Sequence, residues 1–162
     1  MAVDTLVLRA HDEVAPQADA AFAAFVAAWA CRLPPSADIV HIGSTAIPGC
    51  LTKGDLDVCV RVNREDVARV DALLATGYAR NTGSFRSAEF SAFKDDSHHP
   101  PLGVQLVARG SELDVFVGFR DCLLCDPALV EAFNALKVAC TGQPMDVYRR
   151  AKADFIARVL SV

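Results

Sequence analysis

Residues 41–60, HIGSTAIPGCLTKGDLDVCV, join a Gly-Ser turn to a short apolar run that carries two aspartates. The run alternates with the period of a β-strand, so Asp55 and Asp57 are expected on one face and the intervening leucine on the other. Two carboxylates that face one point repel each other unless a cation lies between them, and Mg²⁺ bridging to a polyphosphate is a common arrangement. The stretch therefore predicts a strand with a metal-binding face.

The turn before this strand has the chemistry of a phosphate cradle. Gly43 lets the backbone approach a ligand closely, and successive N–H groups together with the Ser44 hydroxyl form an anion-binding concavity. His41, just before the turn, either contacts a phosphate or supports the strand from behind. Acids for a metal and amides for phosphates together indicate a nucleotide site, with Mg²⁺ as cofactor and a nucleoside triphosphate (NTP) as substrate.

Three separated blocks resemble known sequences. Gly-Ser followed by Asp-x-Asp on a strand resembles the signature of the nucleotidyltransferase superfamily. Within it, HIGSTAIPG at 41–49, Lys53 and Asp57 are similar to the GrpB family. The likeness returns in GFRDCLLCDPALVEAFNALK at 118–137 and YRRAKADFI at 148–156, whereas the middle of the chain matches weakly.

The resemblance implies an α+β, nucleotidyltransferase-like fold: one domain over residues 1–162, in which a small mixed sheet is flanked by helices and followed by C-terminal helices. It also implies Mg²⁺-dependent transfer of a nucleoside monophosphate from an NTP to a small molecule or a protein side chain. The alternative is a nucleotide-binding or regulatory module that keeps the fold but has lost turnover.

The resemblance also implies roles for individual residues. Asp55 and Asp57 would be the catalytic metal ligands. The nucleotide would be bound by the Gly-Ser cradle together with His41, Lys53 and Lys152, and Lys152 would neutralise the leaving pyrophosphate as a flexible point charge.

The superfamily uses a third carboxylate on a neighbouring strand, and two residues compete for that position. An alignment on residues 110–111 places Gln105 there, although glutamine cannot act as a base and is a poor Mg²⁺ ligand beside carboxylates. If residues 112–125 form a strand, Asp114 fills the position instead. If they form a helix, which we favour, Asp114 lies in its first turn. Gln105 favours the binding module, and Asp55 favours the enzyme.

Composition narrows the class of partner. The chain has 162 residues with 52% hydrophobic and 22% charged side chains, which fits one compact domain. Its formal net charge of −4 argues against general affinity for nucleic acid and favours a small or peptide-sized substrate. Residues 1–13 lack a secretion signal and no run of about 18 apolar residues occurs, so we expect a cytoplasmic protein without a membrane span. We expect its six cysteines to be reduced, with the Cys122-x-x-Cys125 pair inside a helix.

Periodicity predicts the remaining elements. Helices are expected at 16–32, 63–78, 126–139 and 143–160, and strands at 39–42, 56–62 and 102–108. We expect the strand at 102–108 to pair antiparallel with the aspartate strand. Residues 78–93 indicate one or two further strands, and residues 6–8 an edge strand or an anchor.

Overall fold

A five-stranded mixed sheet lies at the centre of residues 5–161, the part of the chain that the computed structural model describes. The strands in chain order are β1 (Asp38–Ile42), β2 (Leu56–Val62), β3 (Ala79–Arg80), β4 (Phe90–Asp95) and β5 (Leu102–Ala108). Their order across the sheet is β1-β2-β5-β4-β3, and of the neighbouring pairs β2 and β5 alone run parallel. The expected α+β fold with a small mixed sheet is confirmed.

Helices cover both faces of this sheet. They are α1 (His11–Trp29), α2 (Val67–Leu74), α3 (Phe116–Cys125), α4 (Pro127–Cys140) and α5 (Met145–Leu160). Phe25 and Trp29 of α1, together with α2, pack on the face that Leu56 and Val58 of β2 occupy. On the opposite face α3 covers Cys59. The last three helices pack mainly on one another, and no helix of residues 5–161 has both the length and the apolarity needed to cross a membrane.

The alternation predicted for the aspartate strand is confirmed. Leu56, Val58 and Val60 are completely buried against α1 and α2. Asp57 and Arg61 remain partly exposed on the other face. The strand β2 therefore has one fully apolar face and one face that carries charged side chains.

The predicted antiparallel pairing of residues 102–108 with the aspartate strand is wrong. Asp57 pairs with Gly103 in a parallel register, and Cys59 pairs with Gln105. The chain leaves β2 through the α2 crossover and then reverses twice, from β3 to β4 and from β4 to β5. Because two reversals restore the original direction, β5 runs parallel to β2, as a helical crossover permits.

Element boundaries agree with the predictions to within a few residues. The helix α1 begins at His11 and contains Pro16, where the predicted helix began. The preferred helical interpretation of 112–125 is confirmed from Phe116 onward, and both cysteines of the Cys-x-x-Cys pair lie in α3. Residues 6–8 form an anchor: isolated bridges flank them at Thr5 and Arg9, and Leu6 is 1% exposed.

An ion-pair cluster ties the edge of the sheet to α2. Arg80 of β3 donates hydrogen bonds of 2.7 and 2.6 Å to the two carboxylate oxygens of Asp71, and Arg86 donates another of 3.0 Å. The hydrogen bonds from Arg80 lower the pKa of Asp71 to about 2. Since β3 has only two residues, this cluster is a principal attachment of the edge strand to the helix layer.

Replacing this carboxylate is expected to weaken the fold in a pH-dependent way. Because the folded-state pKa of Asp71 is depressed, its contribution is present above about pH 4 and is lost as the pH falls toward 2. Asp71→Asn should lower the free energy of unfolding by about 2 kcal/mol at neutral pH. Urea unfolding at neutral and acidic pH measures this, with the exposed Asp154→Asn as control. If the difference in the free energy of unfolding between the wild type and Asp71→Asn were as large at acidic as at neutral pH, the ion pairs of Asp71 would not be its source.

Candidate functional site

The pairing of β1 with β2 brings the Gly-Ser turn to the aspartate strand. Ile42, the last residue of β1, pairs with Asp57, so Gly43 and Ser44 follow directly beside that carboxylate. The turn continues as one 3-10 turn over Ser44–Ala46. The two halves of the predicted nucleotide site therefore lie together.

The Asp57 carboxylate lies between two glycines, Gly43 in the turn after β1 and Gly103 in β5. A Cβ atom at Gly43 would lie 2.5 Å from Asp57 Oδ2, and one at Gly103 would lie 2.8 Å from Oδ1. Gly43 also has a φ of 75°, which strongly favours glycine. Both positions thus require a residue without a side chain, because the carboxylate fills the space.

The environment of Asp57 disfavours its negative charge. Burial raises the pKa of Asp57 to about 6, against the opposing effect of Lys152, and Asp55 raises it further. No hydrogen bond from the described residues contributes to this balance. A carboxylate at the end of a cleft without donors of its own is suited to receive a cation.

A polar cavity of about 280 Å³ opens on one side of Asp57. It contains both predicted carboxylates, and Lys53 Nζ lies 3.6 Å from Asp55 Oδ2. Its wall holds four cationic side chains: Lys53, Lys137, Arg149 and Lys152. Four cations against two carboxylates leave an excess of positive charge, as an anionic ligand would require.

Lys137 lies at the centre of the site, although no motif in the sequence predicted a role for it. Its side chain is 1% exposed, and its ammonium group donates hydrogen bonds to Ser44 Oγ and to the carbonyl of Leu51. It also lies 3.9 Å from the centre of the Phe133 ring. Burial lowers the pKa of Lys137 to about 8. A buried cation therefore fixes the cradle serine.

One signal in the sequence could have identified this lysine. Phe133, Lys137 and Cys140 are the buried residues of α4, at a spacing of four and three. A lysine at a position of the apolar stripe rarely lies in a helix core unless a partner needs its charge. One turn earlier, Asn134 exchanges hydrogen bonds with Gly49 O and Leu51 N, so α4 holds the loop that leads to Asp55.

An apolar cavity of about 120 Å³ lies on the other side of Asp57. Ser44, Asp57 and Lys152 line both cavities. The apolar wall consists of Ile42, Ile47, Val115, Phe116, Phe119, Phe133 and Ile156. Gln105 also faces this cavity, from β5. Of the two candidates for the third-carboxylate position, the structure places Gln105 at the site.

The other candidate lies elsewhere. Asp114 accepts hydrogen bonds of 2.7 Å from both Nε and Nη2 of Arg61, and another of 2.8 Å from Gly110 N. Arg61 lies four residues along β2 from Asp57, a separation of roughly 13 Å. The structure therefore places Asp114, the alternative that a strand over 112–125 would have supplied, away from Asp55 and Asp57. There it pairs with an arginine distant in sequence, whose hydrogen bonds lower the pKa of Asp114.

His41 supports the turn and lines neither cavity. Thr45 Oγ1 donates a hydrogen bond of 3.0 Å to the carbonyl of Asp55, and it lies 2.9 Å from His41 Nε2. Because the threonine hydroxyl has a single proton, the imidazole Nε2 must donate in this pair. Burial lowers the pKa of His41, against the effect of Asp19. Of the two roles considered for His41, the geometry favours support from behind.

The described residues offer a metal two carboxylates. Among residues 5–161, no cluster of three or more His, Cys, Asp or Glu side chains could hold a metal ion. Mg²⁺ is nevertheless commonly bound by one or two carboxylates together with substrate phosphates and water. The donor set of Asp55 and Asp57 fits an ion of that kind arriving with a nucleotide.

The architecture and this site define the class: an α+β protein with a nucleotidyltransferase-like fold. A crystal structure of the Cid1 poly(U) polymerase with Mg and 3′-dATP matches with a TM-score of 0.56 at 18% identity, over 80% of this chain and 42% of that chain. A structure of a cytoplasmic RNA terminal U-transferase matches with a TM-score of 0.52 at 17% identity, over 80% of this chain and 38% of that one. This likeness concerns the fold.

The chain belongs to the GrpB family, whose model, described as GrpB protein, matches residues 6–161. A UPF0157 protein of Vibrio cholerae serotype O1 is 43% identical over 129 residues, which cover 79% of this chain and 68% of the relative. A UPF0157 protein of Deinococcus radiodurans is 33% identical over 136 residues, or 82% and 71%. The crystal structure of GrpB from Enterococcus faecalis has a TM-score of 0.70 at 22% identity, over 89% of this chain and 90% of that one.

Removing the charge of Asp57 is expected to stabilise the protein. A carboxyl whose pKa is higher in the folded than in the unfolded state stabilises the fold most at pH values below its unfolded pKa. For Asp57 this stabilisation is lost as the pH rises from about 4 to about 6. Asp57→Asn should therefore raise the free energy of unfolding at about pH 8 by up to about 3 kcal/mol, with no gain near pH 4. Urea unfolding without divalent cations measures both. A loss of stability at high pH would mean that this carboxylate supports the fold.

Proposed function

We propose that the protein is a Mg²⁺-dependent nucleotidyltransferase, which moves a nucleoside monophosphate from an NTP to a small-molecule or protein acceptor. The observation that supports this most directly is the junction at Asp57. There the metal-binding face of β2, the hydroxyl of the Gly-Ser turn and two lysines from the C-terminal helices line the same cleft.

The polar cavity suits the triphosphate. Its excess of cations provides the charge neutralisation on which phosphoryl chemistry mainly depends. Lys137 is fixed by its bonds to Ser44 and Leu51. Lys152 makes no hydrogen bond or ion pair within residues 5–161, although its ammonium group lies 6.0 Å from the centre of the Tyr148 ring. A fixed lysine positions the cradle, and a mobile one follows the charge onto the departing pyrophosphate.

Asp55 and Asp57 would hold the metal. When bound, Mg²⁺ would neutralise charge on the phosphates as a Lewis acid. Asp57 fits this role because the backbone of two glycines confines its carboxylate, so its position is fixed before the ligand arrives. The side chain of Asp55 is 34% exposed and is balanced by Lys53.

The proposed transfer replaces one bond to phosphorus by another. An acceptor oxygen or nitrogen bonds to the α-phosphorus, and the bond from that phosphorus to the bridging oxygen of the pyrophosphate breaks. Pyrophosphate leaves into the polar cavity, where Lys152 and three further cationic side chains neutralise it. The proton of the acceptor passes to water, since the Gln105 side chain at the third position has no basic atom.

The presence of Gln105 supports a second candidate, a nucleotide-binding module with little or no turnover. A third carboxylate would serve as both metal ligand and base, and its absence removes both contributions. The two candidates share the phosphate site and differ in product formation.

Binding of the nucleotide is expected to depend on Mg²⁺, Asp57 and Lys152. Titration calorimetry with ATP, GTP, CTP and UTP, with and without Mg²⁺, measures it directly. Asp57→Asn and Lys152→Met should each weaken Mg²⁺·NTP binding about tenfold or more. The first removes a negative charge that attracts Mg²⁺, and the second removes a positive charge that attracts the phosphates. Lys94→Met serves as the matched control, since Lys94 pairs with Asp96 away from both cavities.

Two results would contradict the assignment. If NTP binding changed neither on removal of Mg²⁺ nor in Asp57→Asn, the assignment of Asp57 as a metal ligand would be wrong. If Lys152→Met and Lys94→Met lost equal affinity for Mg²⁺·NTP, the effect of Lys152 would come from the net charge of the protein and not from a contact with the nucleotide. The urea unfolding of Asp57→Asn, for which a gain in stability is expected, separates a loss of binding in that variant from unfolding.

The two candidates separate in the variant Gln105→Glu, which supplies the missing carboxylate at almost unchanged size. If the chain transfers nucleotides and lacks only the third acid, pyrophosphate release with Mg²⁺·NTP should rise about tenfold or more. Gln105→Met, of similar size and without charge, is the control. Wild-type NTP binding with no release from any of the three forms would favour the binding module.

A further inference from the structure

The apolar cavity beside Asp57 adjoins the phosphate site through shared side chains. Ser44, Asp57 and Lys152 line both cavities, so the two spaces meet at these three residues. In a nucleoside triphosphate, the ribose joins the α-phosphate to the base. With the triphosphate in the polar cavity and its metal at Asp57, the ribose therefore carries the base across this junction toward the apolar cavity.

The walls and the volume of the apolar cavity suit one aromatic ring. Phe116, Phe119 and Phe133 contribute rings to its wall, and planar bases stack favourably on aromatic side chains. Its volume of about 120 Å³ is close to that of a cavity of roughly 150 Å³ that accommodates benzene in another protein. A pyrimidine has a single ring of the size of benzene. A purine, which fuses a second ring to the first, is too large for this space.

One hydrogen-bond donor faces this space from β5. Gln105 lines the cavity, and its Oε1 is buried, so the amide N–H₂ group is the part of the side chain that faces the cavity. The β2–β5 register places Gln105 two residues further along the sheet than the row of Asp57, away from the proposed metal. An amide donor in an apolar wall suits a carbonyl oxygen. Uracil and cytosine both carry a ring carbonyl next to the bond to the ribose.

We propose that the apolar cavity binds the base of the nucleotide and selects pyrimidines, with Gln105 Nε2 donating a hydrogen bond to a ring carbonyl oxygen. This inference rests on the proposed function and narrows its substrate to UTP or CTP. Uracil and cytosine are uncharged at neutral pH, so neither loses the hydration of a charge on entering the apolar walls.

The selectivity is measured by titration calorimetry with saturating Mg²⁺. The ligands are UTP, CTP, ATP, GTP and ribose 5-triphosphate, which has the phosphates and the sugar without a base. UTP and CTP should bind about thirtyfold more tightly than ribose 5-triphosphate, because their base adds stacking and one hydrogen bond. ATP and GTP should show no such gain, because the purine does not fit.

The hydrogen bond is tested in Gln105→Met, which keeps the size of the side chain and removes the donor. The gain in affinity of UTP over ribose 5-triphosphate should fall about fivefold. Gln17→Met, the same change at an exposed position, should leave the gain unchanged. Unchanged binding of ribose 5-triphosphate shows that the phosphate site of Gln105→Met is folded.

The space itself is tested by filling it. Val115→Phe places a larger side chain in the cavity wall and should abolish the gain of UTP and CTP while ribose 5-triphosphate still binds. Val138→Phe is the matched control, since Val138 is 58% exposed and lines neither cavity.

Equal affinities of UTP and ATP, or a gain of UTP that survives both Gln105→Met and Val115→Phe, would overturn the pyrimidine site. If ribose 5-triphosphate then still binds with Mg²⁺, the phosphate and metal site stands, and with it the proposed function. If none of the triphosphates binds, the proposed function and the pyrimidine site fail together.

Discussion

The confinement of the Asp57 carboxylate between Gly43 and Gly103 is the constraint on which the rest of the site depends. The two glycines belong to segments on either side of β2, so one side chain fixes the approach of both neighbours. A larger residue at either position would displace the carboxylate. The confinement is unfavourable in isolation, because burial without hydrogen-bond donors penalises the negative charge. The fold tolerates this cost at the place where a bound cation would remove it.

The C-terminal helices complete the site by bringing positive charge to an acidic strand. Asn134 and Lys137 of α4 hold the loop between the turn and β2, and Lys152 of α5 faces Asp57 from both cavities. Behind the turn, the hydrogen bonds from His41 through Thr45 to the backbone of Asp55 fix the second carboxylate. The acids therefore come from the sheet and the cations largely from helices remote in sequence, which makes the geometry of the site dependent on their packing.

This division explains how much the sequence could predict. Alternation and a Gly-Ser turn are local signals, and they located Asp57 and Ser44 correctly beside each other. The direction of β5 depends on two chain reversals that no local pattern of β5 records. A lysine in a helix is usually a surface residue. Only its position in the apolar stripe of α4, between Phe133 and Cys140, indicates that Lys137 is buried. Asp114 lies at a plausible helix start, while its actual partner, Arg61, is 53 residues away in the chain.

Gln105 leaves this site without a third carboxylate. A carboxylate at this position would add a third negative charge beside a strand whose aspartate is already difficult to ionise. Glutamine keeps a similar shape without the charge and without a basic atom. Under the proposed function, transfer without a protein base would depend on the acidity of the acceptor itself. A phenolic hydroxyl, with a pKa of about 10 in a free tyrosine side chain, loses its proton far more readily than water does. Under the proposed function, a glutamine at this position therefore favours an acceptor whose own proton is readily lost.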